Sequence, residues 1–335
     1  MNKYFADLGA RVAFTVCTNS HLAQAKTMAD SLVAHNPNYQ VCIGLVDKLT
    51  PDIDQSFFEP HLLIEIEEIR IDGFADLLSQ YNLLEMSCLA KPYFAAYLFD
   101  TYAAIQKLLY FDTDMLLFGD LARVEALLET HNVIITPHMT APLPDDDKTP
   151  ALRTFLNSGI YNAGFFAIKR STETFRFLSW WQAYLRRSGY VNFCEGMFVD
   201  QLPLNLVPLF FEGVLPQIDP GYNVAYWNLH ERMVSKRDGE LWVNDQSPLL
   251  FFHFSGYHPT WPNRLSLHQN RHQWADRPDV WPLFEQYRSG LVANKHDFYM
   301  KQPNAYYQKP WHDKIGWLRG WIIVICRKIL KILNA

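Results

Sequence analysis

Asp112 and Asp114 stand one residue apart at the end of an apolar run, Leu108-Leu109-Tyr110-Phe111, and the chain turns apolar again at Met115-Leu116-Leu117. The first run reads as a buried strand. Two carboxylates at the end of such a strand cost several kcal/mol to desolvate unless something neutralises them. A divalent cation is the usual solution. A continued strand points both side chains the same way, and a slight turn lets both reach one hard ion through oxygen. A metal held there can carry a diphosphate, so the pair suits nucleotide-sugar chemistry. The plain alternative is a turn with two solvated carboxylates.

Three further groups have the residue types to complete such a site. An apolar run delivers His253, followed by Gly256, His258, Pro259 and Trp261. An imidazole completes an oxygen-rich site better for Mn²⁺ than for Mg²⁺, and Gly256 would let backbone approach a phosphate closely. A lone histidine is more often structural; the glycine three residues on and the upstream Asp-x-Asp favour a ligand here. Asn157-Ser158-Gly159 and Asn162-Ala163-Gly164 put short amides and glycines around the start of a buried strand, where they suit either polar ligand contact or a tight turn and bulge. Asp200-Gln201 offers a carboxylate for sugar hydroxyls and an amide that both donates and accepts; alone it would be an ordinary helix start.

The elements that must position these residues alternate along the chain. Strands are expected at 12–18, 41–46, near 62–64, at 108–111, 133–136 and 160–168, with helices at 20–34 (Ser20 as a possible cap), 83–99, 121–128 and 172–187. Pro92 should kink or restart the helix at 83–99. Residues 199–206 and 209–211 read as a short helix-strand pair, and 137–150, rich in Pro and Asp, as a mobile surface loop. Residues 261–307, rich in Trp, Tyr, His and Pro, show no readable period. The alternation predicts an α/β fold: a mostly parallel sheet with helices on both faces, whose ligands gather at the carboxyl ends of the strands. Thr18, Asn19, Asp47, Asp112 and Asp114 all fall at such ends.

Composition narrows the class. Apolar residues make up 49% of the 335 and aromatics 15%, which indicates a large packed core. The net charge of −5 argues against a nucleic-acid partner. Cys17, Cys42, Cys88, Cys194 and Cys326 are widely spaced, as expected of reduced thiols in a cytoplasmic protein, with the first three in apolar surroundings that suit the core. No secretory signal precedes the first strand, and no apolar run reaches the length of a membrane span.

Taken in order, Asp112-Thr113-Asp114, Asn162-Ala163-Gly164, Asp200-Gln201 and His253-x-x-Gly256 make the chain resemble GT-A (Rossmann-like) glycosyltransferases, in particular glycosyltransferase family 8 and its bacterial lipopolysaccharide and polysaccharide relatives. The likeness covers residues 10–262. It implies a catalytic domain over 1–265, with 266–312 as an aromatic-rich extension. It also implies a Mn²⁺ (or Mg²⁺) ion on Asp112, Asp114 and His253, and a nucleotide-sugar donor, most simply UDP-linked. Donor contacts would come from Thr18, Asn19, Asp47, Lys91, Thr113, Asn162, Gly256 and His258. Asp200 and Gln201 would be the catalytic pair, working with retention of anomeric configuration on a glycan or lipid-linked acceptor. In one respect the sequence departs from the family: Pro259 stands where the motif His-x-x-Gly-x-x-Lys has its lysine, with His258 or Arg264 as candidate substitutes. A metal-dependent phosphohydrolase, with Asp112 as nucleophile, and a catalytically inactive GT-A interaction module are the competing readings.

The tail carries a separate signal. Leu318, Ile322, Ile325, Ile329 and Ile332 recur at helical spacing, with Arg319, Arg327, Lys328 and Lys331 largely off that stripe. Residues 313–335 therefore read as a basic amphipathic helix on an anionic membrane surface, which would place the protein peripherally on the cytoplasmic face of the inner membrane. Docking of that helix on the protein body is the alternative.

Overall fold

The computed structural model describes residues 8–306, 321–322 and 325–326. Strands and helices alternate as β1 (Arg11–Cys17), α1 (Leu22–His35), β2 (Gln40–Leu45), β3 (Leu62–Glu65), α2 (Phe74–Gln80), α3 (Leu83–Thr101), β4 (Lys107–Phe111), β5 (Met115–Leu117), α4 (Ala122–Thr130), β6 (Val133–Pro137), α5 (Leu152–Ser158), β7 (Tyr161–Lys169) and α6 (Thr172–Ser188). A hairpin of β8 (Val191–Asn192) and β9 (Met197–Phe198) follows, then the one-turn α7 (Val207–Phe210), β10 (Val214–Pro216) and β11 (Val224–Ala225). The chain closes with an antiparallel ribbon of β12 (Val234–Arg237), β13 (Glu240–Val243) and β14 (Ser247–Pro248), then β15 (Phe251–His253), α8 (Trp281–Ala293) and α9 (His296–Tyr299).

The central sheet has seven strands in the order β10-β6-β7-β4-β1-β2-β3. Only β7 runs against its neighbours; the other pairings are parallel. Both faces are covered, which is why β4 and β6 read as unbroken apolar runs. Phe14, Tyr110 and Phe166 pack with Leu89 and Phe94 of α3 and Trp181 of α6 on one face. Ala13, Leu109 and Phe165 pack with Met28 and Leu32 of α1 and Val124 of α4 on the other. From β1 the chain winds outward to β2 and β3, then crosses back to lay β4 on the opposite side of β1. The carboxyl ends of β1 and β4 therefore flank the point where strand order reverses, the place where open α/β sheets open a crevice. A second small sheet, β11-β15-β5, pairs His253 with Met115 and so brings the end of β15 beside the Asp-x-Asp turn.

Several local expectations differ from the structure. Ser20 does not cap α1; a 3₁₀ turn over Asn19–His21 precedes it, and the Ser20 hydroxyl bonds the His21 ring instead. α3 runs unbroken through Pro92. The bond Pro92 cannot donate costs about 3 kcal/mol, which the burial of Leu89, Phe94, Leu98 and Phe99 exceeds. Residues 207–210 are helical, with Pro208 in the first turn where its missing N–H costs nothing, and the expected strand lies further on as β10. The 137–150 loop is pinned rather than loose. Arg271 bonds Asp146 at 2.7 Å and the Pro150 carbonyl at 3.1 Å, and Asn270 receives the Thr149 N–H.

The unreadable aromatic stretch contains α8 and α9. Gly290 of α8 packs against Thr27 of α1, where a β-carbon would come within 2.7 Å. Cys17, Cys42 and Cys88 are buried free thiols. Within the tail, Trp321, Ile322, Ile325 and Cys326 are helical and exposed; the amphipathic reading of 313–335 otherwise lies outside the described residues. Among the described residues, no helix is long and apolar enough to cross a membrane.

Candidate active site

Asp112 and Asp114 leave the sheet where β4 ends, and the backbone holds the turn from both sides: Asp112 N–H bonds Gly164 O at 2.8 Å, and Phe254 N–H bonds Asp114 O at 2.7 Å. Asp112, Asp114 and His253 each turn one ligand atom to a common point, all within 4.8 Å of one another. Two carboxylate oxygens and one imidazole nitrogen form a donor set suited to Mn²⁺ and acceptable to Mg²⁺. The floor beneath them is Gly164. A β-carbon there would sit 2.6 Å from His253 Cε1, 2.7 Å from Asn162 Oδ1 and 2.8 Å from Asp112 Oδ2, so only glycine leaves the space.

A second layer fixes these groups. His253 Nδ1 donates to Asn223 Oδ1 at 3.3 Å, which leaves Nε2 facing Asp114 Oδ1 at 2.9 Å. The Asn223 amide donates to Asn162 Oδ1 and Thr136 Oγ1, both at 3.0 Å, setting which way each amide points. Burial alone would lower the His253 pKa, but the Asp114 charge outweighs it and raises it. Burial likewise pushes Asp114 up, and the His253 charge brings it below the ordinary carboxylate range.

Asp112 has its own support. Tyr110 donates its hydroxyl to Asp112 Oδ1 at 2.6 Å, and Lys91 Nζ lies 3.1 Å from the same oxygen and 2.8 Å from Asp200 Oδ2. Lys91 also donates to Ala163 O, and its contact with Asp200 is ionic without hydrogen-bond alignment. Despite the desolvation that works against it, the carboxylates of Asp112 and Asp200 hold the Lys91 pKa well above its usual value. Burial pushes Asp200 up, against the pull of Lys91. Gln201 is tied at both ends: Oε1 accepts from Asn162 and from Ala163 N–H, and Nε2 donates to Ser158 O.

Two cavities meet on this cluster. The first, of about 710 Å³, is lined by Thr18 and His21 at the end of β1, by Thr113, by Gly256 and His258 after β15, and by His296 of α9. The second, of about 930 Å³, is lined by Asn162, Asp200, Gln201, Arg153, His138 and His268. Leu84, Cys88, Lys91, Asp112, Asp114 and Leu267 line both. Gly256 holds φ +71°, and a β-carbon on it would meet His268 and Ser266. Arg264 lines neither cavity.

Asn19 and Asp47 are placed differently from Thr18. Asp47 is fully buried, and burial raises its pKa. Its carboxylate accepts from the N–H groups of Asn19, Lys48 and Ala305 and from the Asn304 amide, at 2.7–3.1 Å. The Asn19 amide in turn donates to Lys48 O and Pro303 O. The strap 303–305 thus lies across the ends of β1 and β2. Neither Asn19 nor Asp47 lines the cavities; both shape the wall that does. Tyr110, Gly164 as a floor, Asn223 and the strap went unrecognised in the sequence. The glycine's place in Asn162-Ala163-Gly164 was the one usable hint among them.

A mostly parallel sheet whose switch-point crevice collects two carboxylates, an imidazole and a buried Lys-Asp pair is the arrangement of a GT-A glycosyltransferase. The chain belongs to glycosyl transferase family 8, whose profile matches residues 12–263. It is 25% identical over 281 residues to the uncharacterized protein YfnF of Bacillus subtilis (strain 168), covering 81% of this chain and 89% of that one. Among solved structures, the WbbM bifunctional glycosyltransferase aligns over 90% of this chain and 52% of its own, at 11% identity and a TM-score of 0.51. The galactosyltransferase LgtC, in complex with donor and acceptor sugar analogs, aligns over 84% of this chain and 95% of its own, at 15% identity and a TM-score of 0.47. Family membership sets aside the phosphohydrolase reading.

Proposed function

We propose that the protein moves a hexosyl unit from a UDP-sugar to a saccharide or lipid-linked glycan acceptor, with Mn²⁺ or Mg²⁺ and with retention of configuration. The observation that carries this reading is the meeting of two cavities on one cluster of carboxylates. The first takes the nucleotide and diphosphate, and the second takes the transferred sugar and the acceptor. Asp112, Asp114 and His253 would hold the ion, and a divalent cation bound there would supply positive charge to the diphosphate leaving group.

The residues of the chain do the positioning. Asp200, clamped by Lys91, orients donor sugar hydroxyls, and Lys91 fixes Asp112 in turn. Thr18, Thr113 and Gly256 line the nucleotide end. Gln201, held rigid by Asn162 and Ser158, faces the reacting sugar from the second cavity. The bond from the anomeric carbon to the diphosphate breaks and a bond to the acceptor oxygen forms on the same face. The acceptor proton passes to the departing diphosphate.

Release of UDP from a panel of UDP-sugars with Mn²⁺, followed by NMR of the anomeric linkage formed, tests the proposal. A retained linkage supports it. Inversion removes the retaining assignment, and the absence of donor binding leaves the inactive-module reading.

A further inference from the structure

Among the described residues, the first cavity is lined by no lysine or arginine except Lys91, and that cation is committed to Asp112 and Asp200. It has three imidazoles instead: His21 beyond β1, His258 in the loop after β15 and His296 on α9. They come from three separate stretches of the chain and converge on one space.

The His21 and His258 rings are turned by hydroxyl partners on Nδ1, while His296 Nδ1 faces the Asp297 carboxylate beyond hydrogen-bond distance. His21 Nδ1 lies 2.9 Å from Ser20 Oγ and 3.2 Å from Thr18 Oγ1. His258 Nδ1 lies 2.7 Å from Thr260 Oγ1, and His296 Nδ1 lies 3.6 Å from Asp297 Oδ1. A hydroxyl that donates to Nδ1 leaves the ring proton on Nε2, as a donor. The His258 and His296 rings are 6.4 Å apart between centroids, close enough for both to face one polyanion.

We propose that the diphosphate of the donor is received in this cavity by His21, His258 and His296, in place of the lysine that Pro259 displaces, and that binding draws a proton onto the His258–His296 pair. The inference rests on the nucleotide-sugar reading above. His296 is held below its ordinary pKa, by burial first and by His258 besides, with Asp297 pulling the other way. His21 is solvent-reachable but sits in a concave wall; desolvation lowers it, Asp114 opposes that, and His296 adds to it. The other titratable groups lining this space are Asp112 and Asp114 on the β4 turn, Lys91 and Cys88 of α3, Tyr110 of β4, Cys17 of β1, Tyr257 beside His258 and Tyr287 of α8. Lys295, next to His296, turns its ammonium onto the Phe57 ring at 4.2 Å. A diphosphate brings negative charge to these imidazoles and so favours their charged form.

The test uses the full chain with UDP-glucose and UDP-N-acetylglucosamine, whose diphosphate diesters carry no proton of their own near neutrality. Affinity is measured calorimetrically at saturating Mn²⁺ from pH 6 to 8, in buffers of different ionisation enthalpy. Wild-type affinity is expected to fall about tenfold over that range, with net proton uptake on binding near pH 7. His258→Gln/His296→Gln is expected to lose about tenfold in affinity at pH 6 and to flatten the profile to within about twofold. Should the double variant fail to fold, His258→Gln alone, in its half-buried loop, serves for the same comparison. Binding without proton uptake, or a profile unchanged in the variants, overturns the inference and leaves the donor reading intact. No binding of either sugar nucleotide, nor of UDP, overturns the donor reading and this inference with it.

Discussion

Replacing Gly164 with alanine should disable the metal site while leaving the fold standing. The added β-carbon would lie 2.6 Å from His253 Cε1 and 2.8 Å from Asp112 Oδ2. Comfortable carbon contacts begin near ~3.5 Å, so the imidazole must retreat by roughly 1 Å or the strand must shift. Gly164 does not occupy the left-handed region, so backbone strain plays no part and the effect is purely steric. Overpacking of this kind costs about 1–3 kcal/mol of stability. Moving two of the three ligand-bearing side chains at once should cost roughly 10–100-fold in metal affinity, by analogy with lost second-layer support. A misplacement of about 1 Å at the reacting centre can cost a further 100-fold or so in turnover. Mn²⁺ titration followed by electron paramagnetic resonance, alongside thermal unfolding, separates the two effects. A folded Gly164→Ala protein that binds Mn²⁺ within threefold of wild type would refute the reasoning, because the floor would then not be holding the ligands.

Other perturbations probe the same frame. Lys91→Met leaves Asp112 and Asp200 as neighbouring carboxylates without their shared cation and should cost about 3–5 kcal/mol in denaturant unfolding; Lys91→Met/Asp200→Asn should recover part of that loss. His138 donates from Nδ1 to Ile160 O at 3.0 Å, and burial brings its pKa down to about 4. The unfolded chain, with an ordinary value near ~6.5, therefore binds the extra proton first as pH falls. This contribution is fully present above about pH 6.5 and diminishes by about 2 kcal/mol by pH 5. Chemical denaturation at both pH values should show the drop, and His138→Gln should reduce it. Removal of residues 314–335 should abolish sedimentation with anionic liposomes while leaving UDP binding unchanged; sedimentation equal to that of the full chain would count against a membrane role for the tail.

The readable part of the site was the part that violates local expectation. Asp112 and Asp114 stand out because charges at the end of an apolar strand demand a partner, and His253 stands out because another apolar run delivers it. The strands and the helices on both faces follow from uninterrupted apolar runs and helical spacing. What escaped notice is non-local. Asn223 orients His253 and Asn162 from a turn that looks like any Gly-Tyr-Asn sequence. Tyr110 looks like one more core aromatic until its hydroxyl is found on Asp112. Asp47 was legible as a strand-end acid, but its partners Asn304 and Ala305 lie more than 250 residues away in sequence. Pro92 misled because local propensity yields to the packing of α3 against α6 and the sheet.

The Asp47 contacts bear on the order in which the enzyme becomes competent. β1, β2 and the Asp-x-Asp turn are made early in synthesis, and six of the seven strands of the sheet that carries them, all but the edge strand β10, lie within the first 170 or so residues. The first cavity does not. Part of its wall is α9, and the carboxylate beneath the β1–β2 end stays short of two donors until Asn304 and Ala305 emerge. A ribosome-bound chain would thus carry the acidic cluster before it had an enclosed place for a nucleotide. Competence for turnover would arrive only once α9 and residues 303–305 have been made, as a single late event.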